Sequence, residues 1–448
     1  MSKINLIKKL VNIHTVFMAI LLFFIATPKA HAQPWTLQQC IDTAQVYNKN
    51  LQIVSNRQEV SRERTREARA HLLPVISASG DYKYFVDLPY QIMPQSAFGG
   101  PEGQFKEIQM GVPHNLNANI QLAVPIYNQQ VFNAIETSKI AVELSELQYK
   151  KTEEQVLFDI SNLYYNAQII YHQLAFIDSN LVNTVKLLQN MQLLHSQLMV
   201  TATDVGKVRL EKEQLETRRT LVANNLEEIL NALKFSMGIS FERELLIESE
   251  ILYQAEKQYA RMPSLDFQLA NAQTRLLNSE LTSLKNSRLP SVSLTGSYGQ
   301  TGFGYDKKPN EFLKFYPTTF AGVHVAIPLF NGTVTHRKIN QKNIEIKNSV
   351  LQTSLVAEQN DMQTENAIRR RLVNRQAVED ASAQINLANQ VYVQTVMQQK
   401  EGTATLADVL MADNALRESQ QNYLSAVVDY LKADLELKQL TGNITSTN

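Results

Sequence analysis

The chain has 448 residues, with 43 basic and 43 acidic side chains and a single cysteine. Balanced charge argues against nucleic acid as a partner, and a lone thiol excludes an internal disulfide. Mean hydropathy is −0.23. Beyond the N-terminus no segment approaches the roughly 20 apolar residues of a membrane-spanning helix, so any membrane crossing must use β-strands in a closed barrel.

Residues 1–32 read as a secretory signal peptide. Lys3, Lys8 and Lys9 form its charged start, Val16 to Ile25 its apolar stretch, and Ala30-His31-Ala32 its small-x-small cleavage site. Cleavage leaves 39 basic against 43 acidic residues. Cys40 lies beyond that site and lacks small residues before it, which rules out a lipidated cysteine. It is expected as a small buried side chain of the first helix. Arg62, Arg64, Arg66 and Arg69 alternate with Glu59, Glu63 and Glu67, the pattern of a solvated helix face. The run Arg369-Arg370-Arg371 is read the same way.

After Pro74 the pattern changes period. Ile76, Ala78, Gly80, Tyr82 and Tyr84 alternate with Ser77, Ser79, Asp81 and Lys83, which predicts a strand. A loop over 87–115 follows, then Ile120, Leu122 and Val124 alternate with Asn119, Gln121 and Ala123 up to Pro125. From Asn128 to about Val200 there is no proline or glycine, and one helix of about 100 Å is predicted at about 1.5 Å per residue. It turns back near Asp204, so a hairpin is expected over 128–238. Helices this long pack as coiled coils or bundles.

The pattern then recurs. Leu73-Pro74-Val75-Ile76-Ser77-Ala78-Ser79-Gly80-Asp81-Tyr82 returns as Leu289-Pro290-Ser291-Val292-Ser293-Leu294-Thr295-Gly296-Ser297-Tyr298, 216 positions on. Val124-Pro125-Ile126-Tyr127-Asn128 returns as Ile327-Pro328-Leu329-Phe330-Asn331, and Asp204-Val205 as Asp408-Val409. Near-constant offsets predict a tandem structural repeat, 33–242 and 243–448. The first carries a helix, a strand pair at about 74–125 and the hairpin 128–238. The second carries a helix over 264–289, a strand pair at about 290–328 and a hairpin over 331–441. Pro74, Pro125, Pro290 and Pro328 mark the helix–strand junctions. In the last helix Leu416, Tyr423, Val427, Tyr430 and Leu437 share a face that Gln420 and Asp434 interrupt. Surface drift of a bundle or a wall wet on one side would both explain that.

Each strand segment has about 9 to 12 residues, enough to cross a bilayer when tilted. Aromatic residues gather at the strand ends: Tyr82, Tyr84, Phe85 and Tyr90 in one copy, and Phe303, Tyr305, Phe312, Phe315, Tyr316 and Phe320 in the other. They suit a membrane-interface girdle. Four strands cannot close a barrel, since the smallest have about eight. Several chains must therefore share one, and three would supply twelve strands with room for a lumen.

With these motifs in order and duplicated, the chain resembles the TolC-like outer-membrane efflux proteins over essentially its whole mature length. Thr36-Leu37-Gln38-Gln39-Cys40-Ile41 at the first helix and Glu401-Gly402-Thr403-Ala404-Thr405-Leu406-Ala407-Asp408-Val409-Leu410 at the second hairpin turn complete the match. The resemblance implies a mainly α fold with a small β part: a long α-helical barrel continuous with a transmembrane β-barrel shared between three chains. It also implies a homotrimer in the outer membrane of a Gram-negative bacterium, in contact with outer-membrane lipid. A periplasmic adaptor and an inner-membrane pump would be its partners, and efflux or secretion its task.

In the family the hairpin turns carry a glycine and then an Asp-Val pair and contact the adaptor. By resemblance the adaptor-docking residues are Thr201, Val205, Gly402, Thr403 and Val409. Copy one departs from the pattern, with Leu198 where copy two has Gly402. Asp204 and Asp408 are the candidate gate: rings of three would favour cations at a narrow mouth. Capping of the returning helix is the other reading of the same residues. Tyr and Arg partners that close the tip in some relatives are replaced here by Gln399 and Ala404.

No phosphate loop, metal-binding His-Glu-x-x-His helix or nucleophile elbow is present, so no catalytic residue, metal or cofactor is expected. The rival reading is a secreted coiled-coil scaffold or adhesin without a pore. It explains the long helices and the leader but not two strand pairs at matched positions.

Overall fold

The computed structural model describes residues 34–251, 258–305 and 314–444. The signal peptide and Phe312 lie outside them. The chain is mainly helical with a small sheet part. Helices α1 (Leu37–Tyr47) and α2 (Lys49–Ala70) lead into β1 (Val75–Tyr84), β2 (Tyr90–Pro94), β3 (Phe105–Gln109) and β4 (His114–Asn128). Then come α3 (Gln129–Ser196), α4 (Ala202–Met237), α5 (Leu265–Asn286), β5 (Ser291–Gly304), β6 (Lys314–Ala326), α6 (Val334–Lys400) and α7 (Leu406–Leu440). The two long helices have 68 and 67 residues and run uninterrupted because proline and glycine are absent from both.

The chain forms two compact units. One comprises Ile53–Lys151 and Leu265–Gln359 and holds the sheet with the helix segments joined to it. β1, β4, β5 and β6 make one antiparallel sheet in the order β1-β4-β5-β6. Register puts Ile76 beside Leu122, Leu122 beside Gly296 and Gly296 beside Ala321, so the apolar positions of all four strands share a face. The opposite face is polar over most of its positions and also carries Phe303, Tyr316 and Phe320. Ser79 donates to Asn119 at 2.6 Å, Asn117 to Asp81 at 3.1 Å, and Thr301 to Asn117 at 3.0 Å.

Two features of the strands differ from expectation. β4 does not stop at Pro125 but continues to Asn128 through a bulge between Pro125 and Tyr127. A proline is tolerated there because β1 has already ended, opposite Ala123, and no second neighbour needs its missing N–H. The stretch 87–115 is also more than loop: β2 and β3 pair as a separate two-stranded sheet. At the far ends of the strands, Tyr82 stacks on His114, Tyr84 packs against it at a tilt, and Phe303 packs on Tyr316.

In this unit polar contacts join the helix segments. Thr137 and Ser279 hydroxyls lie 2.8 Å apart, Thr274 and Ser349 2.7 Å, and Lys342 pairs with Glu280 at 2.8 Å. Arg62 and Arg66 pair with Glu59, Glu63 and Glu146 on a solvated face, as their alternation predicts.

The other unit comprises the chain up to Gln52, Thr152–Ser264 and the chain from Asn360 onward. Its main core packs Cys40, Ile41, Ala44 and Leu51 against Leu157, Ile160, Tyr164, Leu230, Leu233 and Met237. Cys40 is fully buried, and burial pushes its thiol up to about 12, so it is inert. Between α1 and α2 the chain bends at Asn48, whose amide donates to Ser236 O while its Oδ1 accepts from Leu51 N–H. Gly238 ends α4 with φ +75° directly against this bend.

The α7 face packs as its spacing predicts, with Leu416, Val427, Tyr430 and Leu437 buried. Its two polar interruptions are half-buried and partnered. Gln420 accepts from Asn180 at 2.8 Å, and Asp434 accepts from the Tyr259 hydroxyl and pairs with Arg371 and Lys438. Arg371 therefore departs from the solvated-face reading of Arg369-Arg370-Arg371. It is 16% exposed and lies over the Tyr259 ring, because Asp434 on α7 supplies a counter-charge that the helical spacing alone does not reveal.

Candidate functional site: the two hairpin turns

The α3–α4 and α6–α7 turns are built alike from local chemistry. Each long helix ends by donating two N–H groups back into its last turn. Leu198 donates to His195 O and Met199 to Leu194 O, both at 2.9 Å. Gly402 donates to Gln399 O at 3.1 Å and Thr403 to Gln398 O at 2.9 Å. This closure requires a left-handed residue. Gly402 supplies it at φ 73°, and Leu198 supplies it at φ 57° without glycine's freedom. The first turn thus keeps the geometry of the second, and Leu198 stands 92% exposed at its crest.

Each returning helix starts with a reciprocal cap. The Thr201 hydroxyl accepts from Asp204 N–H and the Asp204 carboxylate accepts from Thr201 N–H. Thr405 and Asp408 repeat this, with the Thr405 N–H to carboxylate bond at 2.8 Å. The threonine is the N-cap and the aspartate the third helical residue, where it also faces the positive helix end. The threonine hydroxyls hold both carboxyls below the usual carboxylate range, and at Asp204 the Lys207 ammonium adds to the effect.

The other candidates separate by burial. Thr201, Gly402 and Thr403 are exposed, while Val205 and Val409 point inward. Val205 packs with Met191 and Val208, and Val409 with Tyr392, Ala412 and Leu416. The turns also touch one another through side chains: Leu406 packs on the Met191 cluster, and Leu187 of α3 on the Val409 cluster. Gln399 reaches Met191 Sδ at 3.9 Å, while Ala404 offers no polar atom. Among the described residues no group of His, Cys, Asp or Glu could hold a metal ion. Pro74 and Pro290 directly precede β1 and β5, Pro125 lies inside β4, and Pro328 follows β6.

Sequence reading missed a charged cluster deeper in the same helices: Asp413 and Arg417 of α7 with Glu211 of α4. The i,i+4 spacing of Asp413 and Arg417 was the available signal. Helical pairs of that kind are ordinarily exposed, so nothing in the spacing marked this one as buried.

No family model matches the chain. It is 19% identical to outer membrane protein TolC of Salmonella enteritidis over 435 residues, covering 92% of this chain and 83% of that protein. Against TolC of Vibrio cholerae it is 20% identical over 355 residues, 74% of this chain and 77% of that one. Its fold is similar to that of the outer membrane protein VceC of Vibrio cholerae, with a TM-score of 0.72 at 14% identity over 91% of this chain and 96% of that one. The CmeC outer membrane channel of Campylobacter jejuni gives 0.73 at 15% identity, over 91% of this chain and 85% of that one. The chain is thus similar to TolC in sequence and shares the fold of the VceC and CmeC outer membrane proteins.

Proposed function

We propose that this protein is the outer-membrane exit duct of a tripartite efflux or type I secretion system, conducting substrates passively to the exterior. The observation that carries this reading is the sheet. It has one apolar face, one largely polar, hydrogen-bonded face and, among the described residues, two edge strands without a further neighbour, β1 and β6. Ile76, Tyr298 and Val323 on the apolar face are exposed in the single chain. In water that face and those edges are a liability. In a bilayer the face is satisfied by lipid, and the edges are satisfied only by closure with other copies.

Three chains joined edge to edge make a twelve-stranded transmembrane barrel whose polar face lines the lumen. Their long helices make an α-helical barrel continuous with it. Each chain is a tandem structural repeat, 33–242 and 243–448, and the element order of α3–α4 and α6–α7 after each strand pair supports that division. The hairpin turns form the periplasmic tip, where Asp204 and Asp408 set the charge of the mouth. Thr201, Gly402 and Thr403 present the surface for a periplasmic adaptor, which connects to an inner-membrane pump. Val205 and Val409 support that surface from beneath. The relatives are channels rather than enzymes, and no catalytic role is assigned. A pore-free scaffold would leave the apolar sheet face and both edges without a purpose.

Membrane fractionation, native mass spectrometry of the detergent-extracted protein and single-channel recording test this. An outer-membrane trimer that conducts ions is expected. A soluble monomer or dimer would refute the shared barrel.

A further inference from the structure

Arg417 sits between two carboxylates. Its guanidinium pairs with Asp413, one turn back on α7, and with Glu211 of α4. Its Nη2 also lies 3.4 Å from the Thr184 hydroxyl of α3. Asp413 is 6% exposed, and the Nε–H of Arg417 has no acceptor among the described residues. The titratable and charged groups facing Asp413 are Arg417 on its own helix, Glu211 from α4 across Arg417, and Tyr392 from α6. From α3 the Thr184 hydroxyl meets Arg417, and Arg218, Glu213 and Glu418 line the same cavity as Arg417 and Glu211. With both acids ionised the trio carries a net negative charge, and its most buried member, Asp413, is the costliest to keep ionised.

The connectivity is as telling as the burial. Arg219–Asp178 stays inside the first hairpin, and Arg370–Glu436 inside the second. Arg417–Glu211 joins the second hairpin to the first.

We propose that Glu211, Arg417 and Asp413 form an acid-tightened latch between the two hairpins. A proton on Asp413 leaves Arg417 to Glu211 alone and holds the hairpins together; loss of that proton loosens them. This rests on reading the hairpin turns as the movable tip of a duct. The sign follows from linkage. Burial pushes the Asp413 carboxyl up to about 6, whereas a carboxyl returned to water by parting hairpins titrates near 3.8. The latched state binds the proton more tightly, so acid favours it, with a latched-to-parted ratio about tenfold larger at pH 5 than at pH 7.5. Asp204 and Asp408 do not contribute in that window, since their carboxyls lie below the usual range.

The test uses the full chain in detergent with Cys40→Ala, and nitroxide labels at Leu198→Cys and Met397→Cys, both exposed and on different hairpins. Pulsed electron resonance reads the distance between labels at pH 7.5 and pH 5. The parted population should shrink up to tenfold at pH 5. With Asp413→Asn, a nearly isosteric and permanently neutral variant, it should be small at both pH values. With Glu211→Gln it should be large at both. A pH shift that survives Asp413→Asn, or identical distributions at the two pH values without it, would overturn the latch. Ion conductance measured in parallel separates the two readings. Labels that move as stated in a protein that never conducts would sink the duct and leave the latch standing.

Discussion

Leu198 and Gly402 hold the same left-handed backbone conformation at equivalent points of the two hairpin turns, φ 57° and 73°. A Cβ in that region costs about 1–2 kcal/mol, and the Leu198 side chain recovers little of it in this chain because it is exposed. Strain persists at such positions when the surroundings over-determine it. Here the paired N–H closure and the Thr201 cap do so from either side.

Leu198→Gly is therefore expected to stabilise the protein by about 0.5 kcal/mol, the relief of strain being partly offset by a more flexible unfolded chain. Gly402→Leu should cost about 1 kcal/mol. Thermal melts of the detergent-extracted variants measure both, and an Leu198→Gly variant that melts lower would show that the leucine contributes contacts of its own.

Loss of either cap hydroxyl, by Thr201→Ala or Thr405→Ala, should destabilise by about 1 kcal/mol. The caps also predict an acid limit. The Asp204 and Asp408 carboxyls are depressed in the folded state, so their stabilisation is complete above the ordinary carboxylate pKa of 3.8 and is lost as pH falls through the lower folded value. Melting curves between pH 5 and pH 2 should show this loss in the native protein and a smaller one in Asp204→Asn with Asp408→Asn.

At the mouth itself, Asp204→Ala with Asp408→Ala should raise conductance or weaken cation preference, read as a shifted reversal potential in a bilayer under a salt gradient. Unchanged currents would confine both aspartates to capping.

Gly238→Ala tests the bend between α1 and α2. A Cβ at Gly238 would overlap the Tyr47 carbonyl, and the positive φ adds strain. Backbone cannot give way as a side chain can, so a loss of about 3 kcal/mol or more, or failure to fold, is expected. Limited proteolysis of the expressed variant is a direct measure.

A proline at Leu163, inside α3 and packed on the main core, should cost about 3 kcal/mol or more and prevent trimer assembly. Normal trimers on native mass spectrometry would contradict an uninterrupted α3.

Much of this architecture is legible in the residues. The absence of proline and glycine announces α3 and α6, and alternation announces β1, β4, β5 and β6. These signals are local, and a helix or strand is a local hydrogen-bonding pattern. The short β2–β3 pair escaped because its strands are only five residues each, in a stretch rich in proline and glycine. Val205 and Val409 drew attention by their place beside aspartate, yet which side of the helix faces the neighbouring hairpin depends on packing between elements.

From its own sequence the protein determines its elements, the polar and apolar faces of its strands, and the caps that turn its helices, because each depends on residues a few positions apart. Tertiary structure alone decided that Asp434 meets Arg371 and Tyr259, that Gln420 meets Asn180, and that Arg417 is shared between Asp413 and Glu211. Those partners stand as much as 240 positions apart, as Asn180 and Gln420 do. A charge is costly or comfortable according to what surrounds it in space, which only the packed helices define.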